Sequence, residues 1–245
     1  MSVDSSRSVP NFVTDALARL DVRVDEKARA QLARFLDLLL EANQRVNLTG
    51  IRDPDQAWLR HIIDSLTLLP FIEALPADAQ VIDVGSGGGL PGVPIAITRG
   101  DLRVAMLEAT GKKADCLKKF VLALGLSNTT ILNGRAEQFG QNRAHRQRYD
   151  IVVCRAIGPM RELLEYTLAF ARVGGAVLAM KGPSVVDELA RAGDALALLG
   201  AGEVQVYDAY PEDFDNQSVI VRIEKETSTS KQYPRAPGLA HKSPL

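Results

Sequence analysis

The sequence predicts an α/β fold: a doubly wound, mostly parallel seven-stranded sheet with an N-terminal helical extension. Three observations carry this. Residues 81–85, 103–108, 129–133, 149–154 and 175–180 are short apolar runs separated by helical patterns, an alternation that implies parallel strands joined by right-handed crossovers. The first run, Val81-Ile82-Asp83-Val84, enters a glycine loop, 85–92, in which Pro91 stands where a helix can begin. Before Pro76 the apolar period is helical throughout.

In chain order, residues 1–10 are polar and are expected to be disordered, and residues 11–75 form a helical cap. Helices are expected over 11–20, 25–43 and 54–69. Asp25 is the N-cap of the second, and Leu32, Phe35, Leu36, Leu39 and Leu40 form its apolar stripe. Residues 76–226 form the sheet domain. The runs at 203–210 and 218–224 are divided by a polar stretch too short for a helical crossover, so they should pair as an antiparallel hairpin. Residues 227–245 are a basic tail, either disordered or ordering on RNA.

With 245 residues, 46% hydrophobic and 24% charged, the chain is long enough to bury a large core. A net charge of −1 gives no overall basic signal, so any nucleic-acid face must come from local clustering. Cys116 and Cys154 are the two cysteines and lie in separate elements, arguing against a disulfide framework. Three scattered histidines argue against a metal. No apolar stretch has membrane-spanning length. A cytoplasmic protein is expected.

The glycine loop makes a ligand-binding edge at the carboxyl end of the first strand, where ligands of such sheets bind. A dinucleotide fingerprint fits poorly, because Leu90 stands where the third glycine belongs. An Asp two residues before Gly85, then Gly85, Gly87 and Gly89, then Glu108 at the end of the next strand, fits S-adenosylmethionine better. Asp83 can orient the loop amides, Ser86 among them, or act simply as a cap. Glu108, 23 positions after Gly85, can accept from two ribose hydroxyls. The turn Asn133-Gly134-Arg135-Ala136-Glu137 is expected beside adenine. Arg155 follows the fourth strand and points into the same crevice. An Asn-Pro-Pro-Tyr type motif is absent there, which suits a ring nitrogen with its own lone pair better than an exocyclic amine. Basic groups at Arg60-His61, Lys112-Lys113, Lys118-Lys119, 143–148, Lys181 and the tail are individually solvated faces; together they can track phosphates.

Asn47-Leu48-Thr49, Arg60-His61-Ile62-Ile63-Asp64-Ser65-Leu66, the 83–92 loop, Lys112-Lys113, Arg135-Ala136-Glu137, Cys154-Arg155-Ala156, Lys181-Gly182 and the Tyr233-Pro234-Arg235 ending together resemble the bacterial RsmG (GidB) family, from about residue 25 onward. The resemblance implies a Rossmann-like, class I S-adenosylmethionine-dependent methyltransferase acting on guanine N7 in the 530 loop of 16S ribosomal RNA (guanine 527). The expected partner is 16S ribosomal RNA, free or in the 30S subunit, and the protein is expected to be a monomer. It implies cofactor contacts at Gly85, Leu90, Ala136, Glu137 and Arg155. Arg60, His61, Lys118, Lys181 and Arg235 are the expected RNA contacts. The family most often has Ala or Pro where Gly88 stands and Ser where Cys154 stands. The alternatives are a methyltransferase of the same fold acting on a small molecule or protein, and a non-catalytic nucleotide-binding protein.

Overall fold

The computed structural model describes residues 9–214 and 216–245, so the disorder expected for 1–10 falls almost wholly outside the described residues. Helix α1 (Asn11–Arg19) is followed by α2 (Glu26–Asn43), whose N-cap Asp25 accepts from the Ala28 amide at 2.7 Å. Leu32, Phe35, Leu36 and Leu39 are buried as the stripe requires, each contributing roughly 1.5–3 kcal/mol of transfer free energy. The Asn43 side chain then folds the break after α2, accepting from the Leu48 and Thr49 amides and donating to the Thr49 carbonyl.

The stretch expected as one helix over 54–69 is divided. It runs as α3 (Pro54–Ala57), a π-helical turn (Trp58–Ile63) and α4 (Asp64–Leu66), and α5 (Leu69–Ile72) comes next. The extra residue in the π-turn rotates the chain beyond it, bringing His61, Asp64 and Ser65 inward together with Ile62 and Leu66. Apolar periodicity carries no signal for such an insertion, because buried residues stand on both sides of it.

The sheet contains β1 (Gln80–Val84), β2 (Arg103–Glu108), β3 (Thr129–Asn133), β4 (Tyr149–Arg155), β5 (Ala171–Lys181), β6 (Ala201–Asp208) and β7 (Val219–Lys225). Their order is β3-β2-β1-β4-β5-β7-β6; β7 is antiparallel to both neighbours and the other pairs are parallel. The expected terminal hairpin is present. Crossover helices α6 (Gly92–Thr98), α7 (Gly111–Leu124), α8 (Ala136–Gln141), α9 (Met160–Thr167), α10 (Val185–Ala190) and α11 (Gly193–Leu199) cover the faces. Alternation along the strands feeds two cores. Val81, Leu178 and Met180 join α1, α2, α6 and α7, whereas Ile82, Val177 and Ala179 join α9 and α11. The N-terminal helices therefore share one core with a face of the sheet. Among the described residues no helix is long and apolar enough to cross a membrane.

The tail corrects the expectation of a disordered or RNA-ordered end. Tyr233 is buried, and so is Ala240 in α12 (Leu239–Lys242). The Arg146 guanidinium donates to the carbonyls of Gly140, Thr229, Ser230 and Tyr233 at 2.7–2.9 Å, satisfying backbone acceptors that would otherwise lack partners.

Candidate functional site

Strand order reverses at β1, whose neighbours are β2 and β4, and a cavity of about 530 Å³ opens beyond the carboxyl ends of these strands and β3. Its floor is Val84, Gly85, Leu107 and Ala109; one side is the 134–137 turn, another is Ile157 with Glu162 and Tyr166 of α9, and the outer side is Gly238, His241 and Lys242.

The glycine loop is built from both of its ends. Gly85 and Ser86 amides both donate to the Leu107 carbonyl. Asp83 Oδ2 accepts from Ser86 Oγ at 2.6 Å and from the Gly92 amide at 2.9 Å, tying the loop to the start of α6. Asp83 Oδ1 is buried with no partner. Burial pushes the Asp83 carboxyl up to about 6, against the lowering effect of its hydrogen bonds to Ser86 and Gly92. Glu108 accepts from the Gly87 amide at 2.9 Å and the Thr110 amide at 2.7 Å, and its carbonyl accepts from Gly134 and Asn133. Gly85 has φ +75, and a Cβ there would lie 2.4 Å from Ile157 Cγ2 across the cavity floor. Only glycine leaves this backbone open to a ligand. The loop's other side packs inward: a Cβ on Gly88 would lie 2.9 Å from Leu39 Cδ1.

Gly85, Ala136 and Glu137 thus line the cavity, and Asp83, Ser86, Gly87 and Glu108 brace it. Three residues are placed differently from the expectation. Gly89 faces the core, where a Cβ on it would meet Val93, Leu117 and Phe35. Leu90 is buried in the core that joins α2 to the sheet, and Arg155 lies on the far side of the turn after β4. That turn carries Ala156 at φ +55 and Gly158 at φ +131, and it separates the first cavity from a second cleft of about 290 Å³ lined by Asp64, Arg155, Met180, Lys181, Glu188 and Ser218. Arg155 donates to the Arg60 carbonyl at 2.9 Å and to Asp64 at 3.2 Å, while Tyr210 donates to the other Asp64 oxygen. Burial raises the Asp64 carboxyl, with Arg155 opposing.

Of the expected RNA contacts, Arg60 and Lys118 are exposed, Lys118 beside Asp115 at 3.0 Å. The others are spent inside the fold, which corrects their assignment. His61 is 6% exposed and 2.7 Å from Thr49 Oγ1; burial and then the Arg155 charge lower it to about 4, so it is neutral at pH 7. Lys181 pairs with Glu188 at 2.7 Å and donates to the Gly158 carbonyl. Arg235 forms a two-pronged pair with buried Glu165. Ile157, Glu162, Tyr166 and the tail residues of the cavity carry no signal in the sequence. Glu162 and Tyr166 are one helical turn apart on α9, a spacing as usual for any surface as for a site.

The unpartnered Asp83 oxygen, the Gly85 floor and the cavity size fit an adenosyl amino acid such as S-adenosylmethionine. An O-methyltransferase from Bacillus cereus, solved in complex with SAH, shares the fold: TM-score 0.57 over 87% of this chain and 97% of that one, at 16% identity. A second O-methyltransferase, from Klebsiella pneumoniae, aligns with a TM-score of 0.55 over 89% of this chain and 96% of that one, at 16% identity. In sequence, the ribosomal RNA small subunit methyltransferase G of Moorella thermoacetica is 43% identical over 216 residues, 88% of this chain and 90% of its own length. Its counterpart from Lactobacillus johnsonii is 38% identical over 237 residues, 96% and 99% of the two chains. The family model described as rRNA small subunit methyltransferase G (GidB) matches residues 28–214, and the chain belongs to that family.

Proposed function

We propose that this protein transfers a methyl group from S-adenosylmethionine to N7 of a guanine in the 530 loop of 16S ribosomal RNA, acting as a monomer on the small subunit. The observation that carries the cofactor half is the buried, unpartnered Asp83 Oδ1 beside the open Gly85 backbone; family membership carries the RNA half. Bound S-adenosylmethionine would supply an electrophilic methyl group on a sulfonium.

The chain's own residues do the rest by holding and orienting. Asp83 Oδ1 accepts, directly or through water, from the methionine ammonium, and Oδ2 keeps the loop in place. Glu108 retains an unused lone pair on each oxygen beyond its two amide bonds, enough for vicinal ribose hydroxyls. The Ala136-Glu137 turn frames the adenine edge, and Tyr166 offers it an aromatic face. Arg155, fixed by Arg60 and Asp64 in the neighbouring cleft, positions the acceptor nucleotide. Guanine N7 already presents a lone pair and loses no proton, so no general base is needed and rate rests on in-line positioning. Arg60 and Lys118 meet phosphates.

The test is transfer of labelled methyl from S-adenosylmethionine to 30S subunits from cells lacking this protein, with digestion and mass analysis of the product. A single 7-methylguanine in the 530 loop is expected. Labelling of another base, or of no RNA, would overturn the assignment.

A further inference from the structure

Residues 229–245 run along α8 and α9 as a strap fixed at both ends, and reach the cavity at the carboxyl end of the sheet with Gly238, His241 and Lys242. Arg146 holds the carbonyls of Thr229, Ser230 and Tyr233 at one end, and Arg161 donates to the carbonyls of Pro244 and Leu245 at the other. Between these anchors the strap meets three carboxylates of α8 and α9 that the fold buries: Glu137, Glu162 and Glu165, exposed by 3%, 7% and 0%. A buried carboxylate without donors is costly, and the strap supplies a donor to each one. Glu165 takes the Arg235 amide at 2.7 Å and its guanidinium at 2.7–3.2 Å. Glu137 takes the Gly238 amide at 2.9 Å, and Glu162 lies 3.0 Å from His241 Nδ1.

Two of these carboxylates, Glu137 and Glu162, also line the adenosyl cavity, and so do their strap partners Gly238 and His241, with Lys242 beside them. The bonds that seat the middle of the strap are therefore the bonds that close the cavity's outer side. Gly238 adopts φ +83 to direct its amide at Glu137 and turn the chain into α12. Leu239 and Lys242 remain exposed while Ala240 packs inward beside α9, so the outer face of this middle part is open to solvent.

We propose that residues 235–242 belong to the cofactor site: they form its outer wall, and their seating on Glu137 and Glu162 sets how tightly the nucleoside part is held. The inference rests on the cofactor reading above. A ligand in the cavity fills the space beneath Gly238 and His241, so the strap contacts it from the outer side. Of the tail's basic residues, His241 and Lys242 thereby serve the cofactor pocket, and Arg235 fixes the strap to Glu165.

The test is calorimetric titration of S-adenosylhomocysteine into the full-length protein and into a form lacking residues 239–245, with Tm measured for both. The shortened form keeps the Arg235–Glu165 pair and the Gly238 amide. About a tenfold rise in Kd is expected from loss of a cavity wall, through faster dissociation. Hydrogen exchange on the unaltered protein gives a readout that does not depend on the deletion folding: S-adenosylhomocysteine should slow exchange at residues 236–243. An unchanged Kd in a folded deletion, or absence of protection there while the ligand is bound, overturns the strap's role alone. Failure of the full-length protein to bind S-adenosylhomocysteine overturns the cofactor reading itself.

Discussion

Asp83 carries a burial cost that the fold itself does not offset. It is wholly buried, one oxygen has no partner, and burial raises its carboxyl from the ordinary 3.8 to about 6. Such a displacement corresponds to about 3 kcal/mol against the ionised form. Because the folded-state value lies above the ordinary one, Asp83 stabilises the fold fully below about pH 4. That contribution is lost as pH rises through 6. Asp83→Asn keeps an acceptor for Ser86 and Gly92 and removes the titration. Urea unfolding of both proteins between pH 4 and 7 should therefore show the wild type losing stability relative to the variant, by an amount of order 2–3 kcal/mol at pH 7. The same variant should bind S-adenosylhomocysteine more weakly. A pH-independent difference would mean that Asp83 is not the buried titrating group. A burial penalty retained in the native protein is the pattern expected where a cationic ligand repays it.

At the scale of the element, the π-turn in residues 58–63 decides where Arg155 sits. It frees the Arg60 carbonyl to accept from Arg155 and turns Asp64 toward the same guanidinium, with Tyr210 closing the other side. Helix interiors do not offer a spare carbonyl, and π-insertions commonly stand at sites of function. The Arg155 and Asp64 side chains are 19% and 11% exposed, so solvent screens the pair only partly. Arg155→Gln should lower stability by roughly 2 kcal/mol, less than a fully buried pair would lose. A double-mutant cycle with Asp64→Asn should give a coupling on the order of 1–2 kcal/mol, measured by urea unfolding. Additive effects would separate the two residues. If the pair also orients the acceptor nucleotide, Arg155→Gln should depress methyl transfer while leaving S-adenosylhomocysteine affinity unchanged, since Arg155 lies across the 156–158 turn from the adenosyl cavity.

For the molecule as a whole, the sheet is legible because strands β1 to β5 are apolar runs between helical stretches, and the glycine loop because Gly85, Gly87 and Gly89 follow directly on an apolar run; why Gly85 must be glycine, its φ and the Ile157 side chain, shows only in the fold. Asp83 and Glu108 stand out in the sequence because they lie at strand ends, and the structure places both in the bracing of the glycine loop. Leu90 was misplaced because adjacency to a loop does not tell which way a side chain turns, and Lys181 and Arg235 because a cation in sequence does not show its carboxylate, at Glu188 and Glu165. The boundary expected near residue 75 has the same origin: a change of period marks a change of element type, not the edge of a core. Leu32, Phe35 and Leu39 of α2 pack in one cluster with Val81, Leu178 and Ile220 of the sheet. Removing α1 and α2 would strip the cover from that face, so the helices and the sheet should melt together. Scanning calorimetry should show one transition for the 245 residues, with an enthalpy of about 170 kcal/mol near 60 °C and a van't Hoff value equal to it. A separate low-temperature transition of about 45 kcal/mol, the share due to residues 11–75, would instead make the N-terminal helices an independent cap. S-adenosylhomocysteine should move the single transition upward as a whole, because the glycine loop lies between the cavity and α2, with Gly88 against Leu39 and Gly89 against Phe35.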